Sequence, residues 1–429
     1  MAISKTEYRT LFSDPSVPLL LLLTGSFFLT MFFRTSAAVV LPLEAERLGM
    51  SASLTGFISS VHLYAYALLQ PVSGILHDRY GPVRVVICGL LLTTLSCLLL
   101  TFVRTPVTLG AWRLLSGFGL APMYSGTLVF LAFAFPPERY CFYAGINFAL
   151  SSLGAIVSVA PLGFVLDVFG ISVTFALLSG TSLFMAAMLG RKAADDPIRA
   201  ISMKDTRTFS SILPGIAGAF SYIGRNPRLR ALMFLWAASS ASLLAFQGLW
   251  GVAWFSAAFE ASPASARFWS SLVSVGLMCG PLLAGRVVLS PENLPLIVRR
   301  VSIVNALTWF LLLGTTVAGL PVWTGGIAAF CVGVASGLRV VFSLAGITAL
   351  TRKGEKGVVF GAMNLIAVFT GVVFQWGSGF VIDFFPGALP GTYSAQGYFA
   401  AFLAVAFMMT TSLSALPMLG RAPLNQSEE

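Results

Sequence analysis

The sequence predicts an all-α integral membrane protein with twelve transmembrane helices, arranged as two pseudo-symmetric six-helix bundles. The composition, the number of long apolar runs and an internal repeat together carry this prediction. Hydrophobic residues make up 57% of the chain and charged residues only 10%, whereas soluble domains carry about 25% charged residues. The net charge of +10 lies mainly in short segments between apolar runs. That pattern is typical of orientation in a membrane and argues against a nucleic-acid partner.

Apolar runs long enough to cross a bilayer recur along the whole chain. A helix needs about 20 residues to span the hydrocarbon core. On that basis the predicted spans are residues 17–42, 53–76, 83–103, 107–133, 141–166, 170–190, 229–255, 266–288, 298–318, 322–348, 357–382 and 397–418. Residues 1–190 then form the N-terminal six-helix bundle and 229–429 form the C-terminal bundle with a short tail. The polar stretch 191–228 between them is predicted to be a cytoplasmic linker.

The basic residues predict the orientation of the chain in the membrane. If both termini are cytoplasmic, three basic residues lie on the outer side, namely Arg47, Arg104 and Arg267. Three more fall within spans, which leaves 20 of the 26 Lys and Arg residues on the cytoplasmic side. Cytoplasmic loops of membrane proteins carry an excess of Lys and Arg. We therefore expect cytoplasmic termini.

An internal repeat supports the division into two halves. In the fifth span, Asn147 is followed seven residues later by a glycine and then by GFVLD at 163–167. In the eleventh span, Asn364 is followed at the same step by a glycine and then by GFVID at 379–383, about 216 residues further on. Transporters built from parallel repeats hold their substrate near the bilayer midplane between the halves.

The segment GILHDRYGPVR, residues 74–84, joins the second and third spans too closely for a folded loop. We expect Gly74 to permit close approach of a neighbouring helix, and Asp78 to cap or pair with an adjacent helix end. Gly81 allows a tight turn, and Arg79 and Arg84 favour the cytoplasmic side. An ordinary positively charged loop is the alternative interpretation.

These five positions match the signature between helices 2 and 3 of the major facilitator superfamily, which the chain resembles; His77 and Pro82 depart from it. In the fourth span, Arg113-Leu-Leu-Ser-Gly-Phe-Gly resembles a second motif of that family, with Ser116 in place of the usual Gln. The resemblance covers almost the whole chain and is to a bacterial branch of mostly unassigned substrate, distantly similar to oxalate/formate exchangers. It implies alternating access, a conformational-switch role for residues 74–84, a multi-pass monomer in a bacterial inner membrane, and no cofactor.

Arginine is the one charged residue type placed well inside the predicted spans. No Asp or Glu lies near the middle of any span, and buried ionisable residues in membranes are functional candidates by default. A cavity with cations and no counter-charge suits an anion, which a guanidinium binds with its forked donors. Arg34 in the middle of the first span, with Thr30 on the same face, is the leading candidate for substrate binding. Pairing with backbone carbonyls or snorkelling is the alternative.

Three further ionisable residues have two interpretations each. Arg113 matches a motif residue that serves helix packing or proton coupling in the family. Arg339 in the tenth span serves substrate binding or gating, or else a structural pairing. His62 shares a face with Tyr66 and Gln70 and titrates near neutrality. It is either a proton-coupling residue or a neutral, hydrogen-bonded core imidazole.

Polar and aromatic residues of the later spans complete the predicted site. Gln247 and Trp250 of the seventh span lie on one stripe, with Gln247 opposite Arg34 in the half-to-half register. Asn147, Asn364 and Gln375 either line the path or form hydrogen bonds between helices.

The predicted function is secondary active transport of a small organic anion, by proton symport or by exchange against a counter-anion. The alternative is proton-coupled efflux of hydrophobic or cationic compounds, and a non-transporting receptor is a rival from another class. The sequence has no phosphate-binding G-x-x-x-x-G-K-[ST] motif. Its two His and five Cys form no metal-ligand spacing. We therefore expect no enzyme, no metal and no cofactor.

Overall fold

The computed structural model describes residues 16–102, 104–135, 137–193, 212–352, 356–387 and 392–420, and apart from one isolated bridge the regular structure in these ranges is helical. The helices are α1 Val17–Leu48, α2 Ala52–Tyr80, α3 Pro82–Phe102, α4 Pro106–Ala134, α5 Pro137–Val157, α6 Ala160–Lys192, α7 Ile212–Arg225, α8 Pro227–Ala245, α9 Gly251–Phe259, α10 Pro263–Ala284, α11 Leu294–Val317, α12 Val322–Leu350, α13 Lys356–Asp383 and α14 Ala395–Ser412. Within the described ranges, eleven continuous helical segments are long and apolar enough to cross a membrane.

The ends of the helices follow local chemistry. Helix α1 continues six residues beyond its predicted limit, where Arg47 pairs with Glu44 one turn earlier at 2.6 Å. It stops at Gly49, which has a left-handed φ of 63°, a conformation that favours glycine. The Ser51 hydroxyl then accepts a hydrogen bond from the Leu54 N–H at 3.1 Å and caps α2.

The fifth predicted span, residues 141–166, is divided in two. Helix α5 ends at Val157 and α6 begins at Ala160. Pro161 has no N–H to donate back to Val157, so the helix cannot run through this point undisturbed. A second change of direction occurs within α6 at Gly170, whose φ is 73°. The predicted end of this span at residue 166 is therefore wrong, and the apolar helix within it is the shorter segment Tyr143–Val157.

The seventh span is interrupted by a π-turn, Phe246–Trp250, between α8 and α9. Such a turn inserts one extra residue into a helix and often marks a functional site. It lies against α1. The sequence did not predict it.

The repeat seen in the sequence extends to helix packing. An added Cβ at Gly117 in α4 would lie 2.7 Å from Ala65 Cβ of α2. At the corresponding position of α12, an added Cβ at Gly333 would lie 2.8 Å from the Leu277 nitrogen of α10. The two glycines are 216 positions apart, so the fourth helix of each repeat packs on the second through an equivalent glycine.

The described part of the predicted linker 191–228 is not simply a polar connection. Residues 212–225 form α7, which packs on α8 and α13. The Tyr222 hydroxyl of α7 donates a hydrogen bond to the Leu350 carbonyl at the end of α12, at 3.1 Å.

Candidate functional site

Arg34 lies halfway along α1 and is partly exposed. Its Nε is buried and has no hydrogen-bond partner. Its guanidinium lies within electrostatic range of Tyr66 and His62 on α2. A guanidinium that keeps its donors free inside a membrane-spanning segment has unsatisfied capacity for an anion.

Tyr66 lies within electrostatic range of this cation, and Gln70 and Tyr124 lie near Tyr66. Gln70 Nε2 donates to the Ala121 carbonyl of α4 at 3.5 Å, and the Tyr66 side chain is within electrostatic range of Tyr124 on α4. The Tyr124 ring packs against Phe27 of α1, with a centroid separation of 4.7 Å. The sequence analysis placed Tyr66 and Gln70 on the face of His62 but did not select them, and Tyr124 gave no signal within an apolar helix. Tyr66 therefore adds hydrogen-bonding capacity next to Arg34.

His62 is only 1% exposed. Its Nδ1 lies 3.1 Å from the Ser116 hydroxyl of α4, and its ring stacks on Tyr66 at 6.4 Å between centroids. This environment fits the hydrogen-bonded core imidazole better than a residue open to a water-filled path. Proton coupling through His62 stays a prediction.

Arg113 is bound on all three of its guanidinium nitrogens. Its Nη1 donates to the Phe33 carbonyl at 2.8 Å, while Nε and Nη2 donate to the Ser59 carbonyl at 3.3 and 3.0 Å. Ser116 and Gly117 of the same motif contact His62. The motif therefore fixes α4 against α1 and α2, and Arg113 has few donors left for a substrate.

Thr30 and Asn147 were predicted to bind the substrate together with Arg34. In the structure, Thr30 is hydrogen-bonded to another helix and Asn147 is buried. The Thr30 hydroxyl donates to the Leu120 carbonyl of α4 at 3.3 Å. Asn147 is 1% exposed, and neither atom of its amide has a partner. Its neighbour Ser151 donates to the Thr24 carbonyl at 3.2 Å, which shows that this face of α5 packs against α1.

The π-turn residues bind across the second half. Gln247 Nε2 donates to the Ser274 hydroxyl of α10 at 2.8 Å, and Trp250 Nε1 donates to the Ser378 hydroxyl of α13 at 2.8 Å. Gln375 Nε2 donates to the Leu244 carbonyl at 3.1 Å. These three side chains hold the π-turn between α10 and α13 and leave Gln247 and Gln375 only 3% and 2% exposed.

Asn364 and Arg339 have different surroundings. Asn364 is partly exposed on α13. Arg339 is 1% exposed, and its Nη2 donates to the Leu235 carbonyl of α8. Substrate contact by either residue stays a prediction.

The segment 74–84 forms the expected tight turn. Gly81 ends α2 with a φ of 81°, and its N–H donates to the His77 carbonyl at 2.9 Å. Arg79 lies over the Tyr80 ring at 5.4 Å, and Arg84 is exposed. A Cβ at Gly74 would meet no heavy atom within 4 Å. The expectation of a closely packed helix at Gly74 is therefore wrong in this conformation, while the side chain of Asp78 lies outside the described residues.

The two halves are joined at one end of the molecule, where α2 and α10 begin and α13 ends; we call this the clasped end. There Arg267 of α10 binds Asp167 of α6 through two hydrogen bonds of 2.5 and 3.0 Å. Gly163, four residues before Asp167, gives room for the Arg267 side chain, whose Nε would lie 2.7 Å from an added Cβ.

The second contact at the clasped end uses the other copy of the repeat. The Asp383 carboxylate accepts hydrogen bonds from the Ala52 and Ser53 N–H groups, at 2.7 and 3.0 Å. An acidic side chain at a helix N-terminus satisfies free N–H groups and complements the helix dipole. Tyr393 also donates to Asp383 at 3.0 Å. Burial and this hydrogen bond raise the pKa of Tyr393, so its phenol stays protonated and able to donate.

Contact between α2 and α13 weakens away from the clasped end. An added Cβ at Gly56 would lie 2.7 Å from the Gln375 carbonyl oxygen, and Tyr64 meets the Phe369 ring at 5.6 Å between centroids. Further along, Leu68 is 64% exposed and Gly74 has open space beside it. The halves are thus in contact at one end, and this part of α2 is uncovered toward the other.

The family model of the Major Facilitator Superfamily matches residues 23–375, and the chain belongs to that superfamily. It is therefore a transporter and not an enzyme, as the sequence motifs predicted.

The curated relatives match only parts of the chain. A probable chloroplastic anion transporter 3 of Arabidopsis thaliana is 30% identical over 164 residues, 38% of this chain and 32% of that protein. The probable sulfoacetate transporter SauU of Cupriavidus necator is 24% identical over 157 residues, 37% of this chain and 36% of that protein. The multi-drug resistance efflux pump PmrA of Streptococcus pneumoniae is 31% identical over 170 residues, 37% of this chain and 41% of that protein. The matched segments thus span less than half the length of these relatives.

Solved structures share the fold over nearly the whole chain. A bacterial homologue of the human lysosomal transporter Spinster superposes with a TM-score of 0.74 at 13% identity, covering 96% of this chain and 99% of its own. A D-xylose–proton symporter superposes with a TM-score of 0.69 at 12% identity, covering 92% and 96%.

Proposed function

We propose that this transporter moves a small organic anion across the membrane by alternating access. The observation that carries the proposal is Arg34, a partly exposed residue in the middle of α1 whose buried Nε has no hydrogen-bond partner. The two other arginines in the middle of described spans, Arg113 and Arg339, are each 1% exposed. With a single accessible cation, a monoanion fits the site better than a dianion.

The hydrogen-bonding groups around Arg34 support an anion that also carries polar groups. Tyr66 presents a phenol within electrostatic range of the guanidinium, and Tyr124 and Gln70 lie near Tyr66. An Arg–carboxylate pair in a bilayer is strengthened by the low local dielectric. The similarity to anion and sulfoacetate transporters supports the same substrate class.

The arrangement of charges also bears on coupling. No carboxylate lies in the middle of a described span, so a proton carried with the substrate would need His62 or the substrate itself. Exchange of one anion for another needs neither.

We propose cytoplasmic termini and twelve spans in two six-helix bundles. The clasped end then faces outward, and the structure is an inward-facing state of an inner-membrane protein.

The test starts with the thermal stability of purified protein against monocarboxylates, dicarboxylates, sulfonates, amino acids and lipophilic cations. A ligand at 100 times its Kd stabilises by about 2.7 kcal/mol, which is a measurable shift. Uptake and counterflow of each hit are then measured in proteoliposomes. We expect an anion hit that Arg34→Ala abolishes while the ligand-free Tm is retained, and that Arg34→Lys restores only in part because the fork is lost. Unchanged anion transport by Arg34→Ala would show that the site is elsewhere.

The second candidate function is efflux of hydrophobic or cationic compounds, favoured by the 31% match to a multi-drug efflux pump. A groove of about 440 Å³ supports it, lined by Phe220 of α7 and apolar residues of α13 that include Ile366 and Phe369. Stabilisation by lipophilic cations alone, unaffected by Arg34→Ala, would favour this function over anion transport.

A further inference from the structure

Helices α8, α11 and α12 enclose a group of polar side chains remote from Arg34. Each member is at most 2% exposed: Ser239, Ser302, Asn305, Ser336, Arg339 and Ser343. Asn305 Nδ2 donates to the Ser239 and Ser336 hydroxyls at 3.2 and 3.3 Å. One amide therefore joins all three helices.

The register of the three helices places a second polar level one turn away from that amide. On α12, Arg339 follows Ser336 by three residues, and its Nη2 donates to the Leu235 carbonyl of α8. Leu235 lies one turn before Ser239 on α8, which runs antiparallel to α12. On α11, Ser302 lies one turn before Asn305, so Ser302 falls at the level of Arg339. Ser343 extends the same face of α12 by another turn.

Several polar atoms of this group have no hydrogen-bond partner. They are Arg339 Nε and Nη1, Ser302 Oγ, Ser343 Oγ and Asn305 Oδ1. Among the described residues, no carboxylate forms an ion pair with Arg339, in contrast to Arg47 and Arg267. Burying an unpaired cation with free donors is strongly unfavourable. Arg113, which is equally buried, avoids this cost through three bonds to carbonyls.

We propose that Arg339 holds a small inorganic anion of the size of chloride as a resident counter-ion inside the C-terminal part. Its Nε and Nη1 are free charged donors, and Ser302 and Ser343 supply hydroxyl donors on either side. A water molecule would satisfy hydrogen bonds but would leave the positive charge uncompensated. Val298 and Phe342 belong to the apolar cluster that surrounds Leu235, so the anion is enclosed and is not the transported substrate.

The experiment measures the Tm of full-length Arg34→Ala protein in sodium methanesulfonate, chloride or bromide at constant ionic strength. This background removes halide binding at the candidate substrate site, so its outcome is separate from that of the anion-transport proposal. We expect chloride and bromide to raise Tm by a few °C with saturation. Arg339→Met in the same background should abolish this halide-dependent shift.

Two serine variants test the proposal even if Arg339→Met does not fold. Ser302→Ala should raise the halide concentration for half-maximal stabilisation roughly tenfold, since a hydrogen bond to a charged partner is lost. Ser242→Ala is the matched control, because the Ser242 hydroxyl is already bound to the Ser239 carbonyl of its own helix. In crystals grown with bromide, an anomalous peak beside Arg339 is expected. Water at that position in bromide, or a Tm independent of halide in the Arg34→Ala protein, would overturn the proposal.

Discussion

Asp167 and Asp383 stand at equivalent positions of the internal repeat, yet each reaches the opposite half by different chemistry. Asp167 forms an ion pair with the Arg267 side chain, whereas Asp383 caps the N-terminus of α2 through the Ala52 and Ser53 N–H groups. The Asp167 side chain is 52% exposed, and exposed ion pairs are weakened by salt. The two contacts should therefore respond differently to ionic strength and to mutation.

We predict that Asp383→Asn loosens the clasped end at any salt concentration. The nitrogen of the asparagine amide cannot accept a hydrogen bond, so one of the two backbone N–H groups loses its partner. Loss of such a cap costs about 1–2 kcal/mol. Distances between spin labels at the exposed positions Glu46 and Glu260, measured in a background without reactive cysteines, should become longer and broader. Asp167→Asn is the matched variant, and its effect should shrink in high salt because the wild-type pair is already screened. Equal salt sensitivity of both variants would contradict this account.

The repeat glycines give a second prediction at the same end. A Cβ at Gly379 would lie 2.7 Å from the Ala52 carbonyl carbon and 2.8 Å from the Ser53 Cα, which are backbone atoms. At Gly163 the three atoms nearest to the added Cβ all belong to the Arg267 side chain, which can move. Gly379→Ala should therefore separate the halves and change transport more than Gly163→Ala. Gly377→Ala, where nothing lies within 4 Å, is the control and should leave the spin-label distances unchanged.

Substitution of Arg113 should lower the stability of the protein, whereas substitution of Arg34 should lower ligand binding. Arg113→Ala removes three hydrogen bonds that join α4 to α1 and α2, and bonds of a charged donor contribute about 1.5–3 kcal/mol each. We expect a clear loss of Tm and of folded yield. Arg34→Ala removes no hydrogen bond in the described structure, so it should keep the wild-type Tm and lose ligand-dependent stabilisation. A lower ligand-free Tm for Arg34→Ala than for Arg113→Ala would reverse these assignments.

Much of the fold was predictable because membrane helices leave strong and simple signals. Apolar runs predicted the helices, and the repeat that includes residues 163–167 and 379–383 predicted a division of the chain into two halves. The partners of Asp167 and Asp383 were not predictable, since contacts between halves depend on which end is closed. The same dependence explains Gly74, which faces open space in this conformation.

Side-chain roles within the helices were harder to predict, because helix rotation decides which face meets a cavity. Arg113 and Arg34 look alike in sequence, but one is bound to backbone carbonyls and the other has free donors. Tyr124 lies in an apolar helix without any polar periodicity, so nothing marked it as a neighbour of Tyr66. The π-turn gave no signal either, since one extra residue in a helix leaves the apolar pattern nearly unchanged.

The π-turn supplies the last prediction through a pair of tryptophans. Trp250 Nε1 donates to the Ser378 hydroxyl at 2.8 Å, whereas Trp254 Nε1, one turn later, is buried and has no partner. Trp250→Phe therefore removes a hydrogen bond between the π-turn and α13 and leaves Ser378 with one partner fewer. We expect a cost of about 1–2 kcal/mol.

Trp254→Phe is the control, because it removes an unsatisfied donor and leaves an aromatic ring in the same cluster. A double-mutant cycle of Trp250→Phe with Ser378→Ala, followed by Tm or by chemical denaturation, should give a coupling energy of at least about 0.5 kcal/mol. The same cycle with Trp254→Phe should give none. Since the π-turn lies against α1, the helix that carries Arg34, loss of the Trp250 bond should also weaken substrate binding more than Trp254→Phe does. Additive effects of Trp250→Phe and Ser378→Ala would show that this bond does not hold the π-turn in place.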